Sequence, residues 1–412
     1  MQTNLAAFMR GTPEGREAEA ILRKCVHCGF CTATCPTYQV LGDELDGPRG
    51  RIYLIKQVLE GSAPTVRTQR HLDRCLTCRS CETTCPSGVH YSRLLDIGRA
   101  AVQAQVSRPL WQRFKRHAIG AVVADRVRFG LALRVARALR PVLPGALRHA
   151  VPAAPAAPGE WPPPRHRRRM LVLAGCAQSV LEPRINAAAA RLLDGVGISL
   201  IEAPAAGCCG ALRFHLDDQN GGLRDMRLLI DAWWPHVEQG VEAIVMTASG
   251  CGITVKDYAH LLAGDEAYRD KARRISAMTR DLTEVVAAAL DAGEASWAGT
   301  LAPVRAALHL PCTLQHGQSL SELAARVVRA AGFRLGPVPD AHLCCGSAGS
   351  YSMLQPALSR ELRSRKLAAL QSSGPEVILT ANIGCLHHLA AATRVPVEHW
   401  VVALERRLAA GA

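Results

Sequence analysis

Eight cysteines stand in two copies of one spacing, Cys25-x2-Cys28-x2-Cys31-x3-Cys35-Pro36 and Cys75-x2-Cys78-x2-Cys81-x3-Cys85-Pro86. Three thiolates so spaced can wrap three irons of one cubane, while the fourth points away and reaches a second cluster. The spacing therefore predicts one [4Fe–4S] cluster on Cys25, Cys28, Cys31 and Cys85 and another on Cys75, Cys78, Cys81 and Cys35. The proline after each fourth cysteine turns the chain and removes one backbone N–H. CxxC pairs also bind zinc, but two full copies, each closing in Cys-Pro, favour iron–sulfur chemistry.

The other eight cysteines form a second duplication. Cys176 is followed by Cys208-Cys209-Gly210 and then Gly250-Cys251; Cys312 is followed by Cys344-Cys345-Gly346 and then Gly384-Cys385. The first interval is 32 residues in both copies and the second is 42 and 40. The flanks agree as well, TASGC against TANIGC, so the chain reads as two homologous half-domains related by a pseudo-twofold. Adjacent thiolates with further cysteines at strand ends can converge on one metal, and Gly210 and Gly346 would let the backbone approach it closely. Four thiolates per copy could hold a further iron–sulfur cluster or a zinc ion. The other reading is a site without metal, its cysteines packed as small apolar side chains. His309, His316, His387 and His388 lie near these cysteines in sequence. Imidazole is a common metal ligand, although a helix-cap or surface role is the more usual one.

Elements must position these groups. Short apolar runs enter the cysteines of the duplication: Leu171–Leu173 before Cys176, Ala243–Thr247 before Cys251, Ala306–Leu310 before Cys312 and Val377–Thr380 before Cys385. Helical patterns over Arg224–His236 and Leu358–Leu370 alternate with them, and a helical tail closes each copy, Thr279–Leu290 and Val397–Leu408. This alternation predicts an α/β fold. The 39 residues from Pro36 to Arg74 between the first two motifs contain a helical stretch, Gly50–Glu60, and a charged turn with Asp43, Glu44, Asp46 and Arg49, which reads as a solvated loop or as a dock for an electron-transfer partner.

The chain of 412 residues has a formal net charge of +14, and the charge is local. Residues 99–170 hold 15 Lys and Arg against 2 Asp and Glu, whereas the rest of the chain carries 34 and 33. Within that segment Arg108–Arg140 reads as helical and Val151–Pro164 as a stiff proline linker. A basic segment among Leu and Val suits a face packed on an acidic partner subunit, a solvated connector, or an anionic membrane surface. Aromatics at 4% argue against a nucleic-acid reader built on stacking, so no nucleic-acid partner is expected. No apolar run reaches the length of a membrane span, the first residues do not read as a secretory signal, and so many cysteines without one point to a reducing compartment. The expected location is cytoplasmic, with peripheral contact at the inner membrane as an extension. The organisation expected is residues 1–100 for the two-cluster domain, 101–168 for the basic connector, and 169–292 and 303–410 for the half-domains.

Neither a GxGxxG turn after a strand nor a P-loop occurs, so no nicotinamide or flavin site is expected and no residue is assigned a catalytic role. An iron–sulfur chain of this kind moves electrons that another chain extracts. The long helical insertion resembles the helical ferredoxin-like domain of succinate dehydrogenase-type iron–sulfur subunits. The paired cysteines resemble the CCG domain of heterodisulfide reductase-type proteins. That domain ends in CxxC, and its fifth cysteine position is Thr254 in the first copy and His388 in the second. Over nearly its whole length, including CVHCGFCTATCPTYQVLGDELDGPRGRIYLIKQVLEG, AGCCGALRFHL, PCTLQHGQ and HLCCGSAGSY, the chain resembles the iron–sulfur subunits of bacterial glycolate oxidase. That resemblance implies a complex with two flavoprotein-type subunits that oxidises glycolate to glyoxylate, with D-lactate and other 2-hydroxy acids as lesser substrates. It implies a quinone or the respiratory chain as acceptor. The alternatives are a catalytic disulfide or quinone reductase of the heterodisulfide reductase type, and an iron–sulfur subunit for lactate or glycerol 3-phosphate oxidation.

Overall fold

The structure is a computed structural model that describes residues 1–145, 148, 151–295, 297 and 302–411. Its N-terminal part is helical. The helix Pro13–Lys24 starts on Thr12, whose hydroxyl accepts the Gly15 N–H at 2.9 Å, as a capping side chain does for an unpaired first-turn donor. The insertion between the two motifs forms the helix Pro48–Leu59, with proline at its first position, where no N–H is needed. It buries Ile52, Ile55, Val58 and Leu59 and lies against the helix Tyr91–Gln105. Gly98 permits that approach, since a Cβ there would come within 2.5 Å of Ile55.

Among the described residues eight strands follow: β1 (Arg168–Val172), β2 (Ile198–Glu202), β3 (Ala243–Met246), β4 (Thr279–Asp281), β5 (Val304–Leu308), β6 (Phe333–Leu335), β7 (Val377–Thr380) and β8 (Val397–His399). They form two parallel sheets of the same order, β2-β1-β3-β4 and β6-β5-β7-β8. The registers match, with Leu171 beside Ile244 in the first sheet and Ala307 beside Ile378 in the second. All four residues are fully buried, as expected of parallel strands covered on both faces. The helix Arg184–Asp194 of the first half packs on Trp400–Gly411 of the second, and Ser321–Ala330 of the second packs on Leu282–Asp291 of the first. Each contact is the image of the other, which is the signature of a twofold. One apolar core runs through both sheets.

The structure departs from the sequence reading at the sheet edges. Thr279–Asp281 and Val397–His399, expected as parts of helices, are the strands β4 and β8, and the helices begin at Leu282 and Trp400. A three-residue strand carries too little periodicity to announce itself; it exists because β3 or β7 supplies its partners. The basic stretch Arg108–Arg140 contains two helices, Leu110–Val123 and Arg126–Leu139, divided at Asp125, which accepts the N–H groups of Val127 and Arg128. Part of its charge faces inward: Arg108 and Arg116 both pair with Asp73 of the N-terminal part and Asp217 of the first half. Among the described residues no helix is long and apolar enough to cross a membrane.

Candidate metal centres

The two CxxCxxCxxxCP motifs follow the same path. The backbone turns left-handed at matched positions, His27 (φ 58°) and Gly29 (φ 86°) in one, Thr77 (φ 53°) and Arg79 (φ 60°) in the other. This winding gathers Cys25, Cys28 and Cys31 round one cavity, into which the second motif sends Cys85. Cys75, Cys78 and Cys81 surround another, and the first motif sends it Cys35. Cys81, Pro48 and Tyr91 line both, so the cavities are immediate neighbours. Apart from Cys81 on the shared wall, the first cavity has four thiols, and the second has four with Cys81 included; four converging thiols are the donor set that a [4Fe–4S] cubane takes. Burial, then the charge of Cys25, pushes the Cys31 thiol up to about 11. A thiol so placed keeps its proton until a metal takes the proton's place.

The charged turn after the first motif is not a solvated loop throughout. Asp46 is fully buried and accepts from Arg74 at 2.7 Å and from the His71 ring at 3.0 Å, with Arg51 at 3.5 Å. Arg51 donates to the His71 carbonyl at 2.8 Å and lines the second cavity. Arg49, held by Glu44 at 2.6 Å, lines the first. Sequence reasoning missed Arg51; the signal was its place two residues beyond Arg49 on one helix start.

In the duplicated part every cysteine stands beyond the carboxyl end of a strand. Cys176, Cys208, Cys209 and Cys251 follow β1, β2 and β3; Cys312, Cys344, Cys345 and Cys385 follow β5, β6 and β7. Because β1 runs between β2 and β3, its carboxyl end is the point where the strand order reverses, the usual place for a ligand in an open parallel sheet. The first set is linked by thiol contacts in the order Cys176, Cys208, Cys209 and Cys251. Hydrogen bonds from Cys176 and Cys209, with the backbone N–H groups of Gly210 and Leu212, hold the Cys208 thiol well below its ordinary range. In the second set the Cys312 and Cys344 sulfurs are 4.0 Å apart, and the chain continues through Cys345 to Cys385. Gly210 and Gly346 are left-handed (φ 85° and 86°), but what crowds them is a helix: a Cβ would lie 2.5 Å from the Gly222 carbonyl or 2.7 Å from that of Ser359.

The four histidines separate. His316 bonds Thr83 at 2.9 Å and so ties the second half to the N-terminal part. His387 reaches Glu182 of the first half at 3.7 Å. His388, at the fifth-cysteine position, is taken up by Ser359 at 3.3 Å, and its counterpart Thr254 donates to the Gly250 carbonyl at 3.0 Å. His309 is different: it is buried inside the second set, with donor atoms of His309, Cys345 and Cys385 all within 4.8 Å of one another. Burial pushes its pKa down to about 3, so the ring is neutral. The expected surface or cap role does not hold for His309.

Comparison with known proteins agrees with this division. Residues 21–89 match the family model of a 4Fe-4S dicluster domain, and residues 170–256 and 306–390 each match the model of a cysteine-rich domain. The glycolate oxidase iron-sulfur subunit of Escherichia coli (strain K12) is 53% identical over 99% of both chains. The probable glycolate oxidase iron-sulfur subunit of Bacillus subtilis (strain 168) is 30% identical over 90% of this chain and 89% of that one. Lactate utilization protein A of the same Bacillus subtilis strain is 22% identical over 52% of this chain and 87% of its own length. A hypothetical protein from Helicobacter pylori, solved by crystallography, shares the fold at a TM-score of 0.56 and 10% identity, covering 97% of this chain and 73% of its own. With the dicluster cavities, the duplicated cysteine-rich halves and full-length relatives, the chain belongs to the family of glycolate oxidase iron–sulfur subunits.

Proposed function

We propose that this chain is the electron-transfer subunit of a complex that oxidises glycolate to glyoxylate on a partner flavoprotein. The observation that carries the reading is the pair of adjoining cysteine-lined cavities. Cys25, Cys28, Cys31 and Cys85 are the ligands of one cluster, and Cys75, Cys78, Cys81 and Cys35 those of the other. Clusters held there supply one-electron carriers, which divide a flavin's two-electron oxidation into single steps. The chain itself anchors, shields and balances charge. Arg49 beside one thiolate set and Arg51 beside the other offset their negative charge. Tyr91 and Pro48 fill the wall between them.

The same reading extends to two flavoprotein-type partners, a quinone as acceptor and peripheral contact with the cytoplasmic face of the inner membrane. In support of membrane contact, the helices Leu110–Val123 and Arg126–Leu139 expose Leu110 (80%), Trp111 (69%) and Phe114 (62%), with Val127, Leu131 and Val135 along the second helix and several arginines beside them. Apolar and basic groups together suit an anionic lipid surface. In support of an apolar acceptor, a cleft floored by Ile97, Ala101, Phe214 and Leu261 shares Arg79 and Ser92 with the second cavity. Anaerobic purification with co-purifying partners tests the function. Glycolate should bleach the iron–sulfur absorbance only when flavoprotein is present. Near-zero sulfide, or glycolate oxidation by the isolated chain, overturns the reading. Failure of anionic vesicles to retain the protein on flotation removes the membrane contact.

A further inference from the structure

Three residues before the first cysteine of each copy, the first half has Leu173 and the second has His309. Both are buried, at 4% and 2% exposure, and both extend the strand that enters the cysteine set. The leucine shows that the fold itself needs no polar group there, and burying one without a partner is costly. His309 is anchored on both sides: its backbone N–H donates to the Leu379 carbonyl at 2.8 Å, and its Nδ1 lies 3.0 Å from Thr380 Oγ1. With Nδ1 so held, Nε2 is the nitrogen left to act as a donor, the arrangement in which a second partner orients a metal-bound imidazole. Cys345 and Cys385 complete a group of three donors within 4.8 Å, and Cys344 and Cys312 continue it.

We propose that His309 is a metal ligand, making the second half a mixed imidazole–thiolate centre where the first half has thiolates alone. Such a donor set takes a thiophilic metal, either zinc or the iron of a cluster. His388, though it occupies the fifth-cysteine position, is not part of this centre, because Ser359 engages its ring. The inference concerns the duplicated part only and stands apart from the two cavities of the N-terminal part.

The test is metal analysis and spectroscopy on the full chain, purified anaerobically with 15N-labelled histidine. Metal should exceed the about eight irons of two cubanes. Absorption at the zinc edge should show nitrogen at about 2.0–2.1 Å beside sulfur at about 2.3 Å; if the metal is iron, the spin-echo spectrum should carry a nitrogen coupling instead. His309→Leu, which installs the first half's own residue, should abolish the nitrogen signal and lower the excess metal. His309→Cys should restore metal without nitrogen, which separates ligand loss from misfolding. Excess metal with sulfur ligands only, a nitrogen signal that survives in His309→Leu, or no excess metal overturns the proposal. Eight irons that bleach with glycolate would leave the relay function standing in any of these cases.

Discussion

Leu171 beside Ile244 in the first half and Ala307 beside Ile378 in the second set up the same parallel sheet, yet the loops above those strands differ in chemistry and in neighbours. Above β1 the buried residue is Leu173 and above β5 it is His309. The first half is fastened to the N-terminal part through ion pairs, directly by Arg79 with Asp257 and through Arg108 of the connector, which pairs with both Asp73 and Asp217. The second half presses its cysteines against that part directly: Leu76 packs with Cys344, Tyr351 and Leu362, and the Tyr351 hydroxyl donates to the Arg74 carbonyl at 3.1 Å. Leu76 lies between Cys75 and Cys78 and lines the second cavity with them, so the second cysteine set lies beside that cavity. The difference teaches that duplication preserved the buried strand pattern, which the fold requires, and released the loops beyond the strands, which it does not.

Four pairs of substitutions probe that symmetry, the largest effect first. Ile244→Ala and Ile378→Ala remove matched, fully buried side chains from the central strands, and each should cost about 2–5 kcal/mol in denaturant unfolding. A large cost in one half alone would break the claim of equivalent scaffolds. Gly210→Ala and Gly346→Ala place a Cβ at a left-handed position against a helix carbonyl, and each should lose at least about 1–3 kcal/mol from backbone strain. Leu173→His imports the second half's residue into the first without the Thr380 partner, and should destabilise by about 1–3 kcal/mol in the metal-free chain. His309→Leu should lower stability less in the metal-free chain and more in the loaded one, a contrast read by melting with and without chelator.

The smallest effect is a difference in pH response. The matched residues closing β4 and β8 are Asp281 and His399, both buried. Burial raises Asp281 to about 6, so its folded form binds a proton more readily than the unfolded chain. Its contribution is full below the ordinary carboxylate value and is lost as pH rises through about 6. Burial lowers His399 to about 4, so its contribution is full above the ordinary histidine value and is lost as pH falls through about 4. The two oppose each other between about pH 4 and 6. Melting curves across that window should show His399→Gln blunting the acid loss of stability and Asp281→Asn deepening it. Parallel shifts in both variants would contradict the assignment.

Much of the chemistry was legible in the sequence because cysteine spacing is a local code. Cys85 lines the cavity of the first motif and Cys35 that of the second. The duplication was legible too, because one equal and one near-equal interval survive where most residues have changed. What escaped were features defined by distant partners. The strands β4 and β8 are three residues each and depend on β3 and β7. Asp46 looked like a surface charge until Arg51, Arg74 and His71 closed round it. Arg108 and Arg116 looked like free basic charge until Asp73 and Asp217 met them from two other parts of the chain. His309 was one histidine among four near the cysteines, and only the strand end that carries it separates it from the rest.

The central claim is that two clusters in the N-terminal part receive electrons drawn from glycolate elsewhere. Its most direct test is electron paramagnetic resonance of the anaerobic complex, frozen after addition of glycolate. Two interacting reduced [4Fe–4S] clusters should give signals, with about eight irons and eight sulfides in the N-terminal sites, and one of the two should be lost in Cys81→Ser. A reduced flavin with no iron–sulfur signal would contradict it.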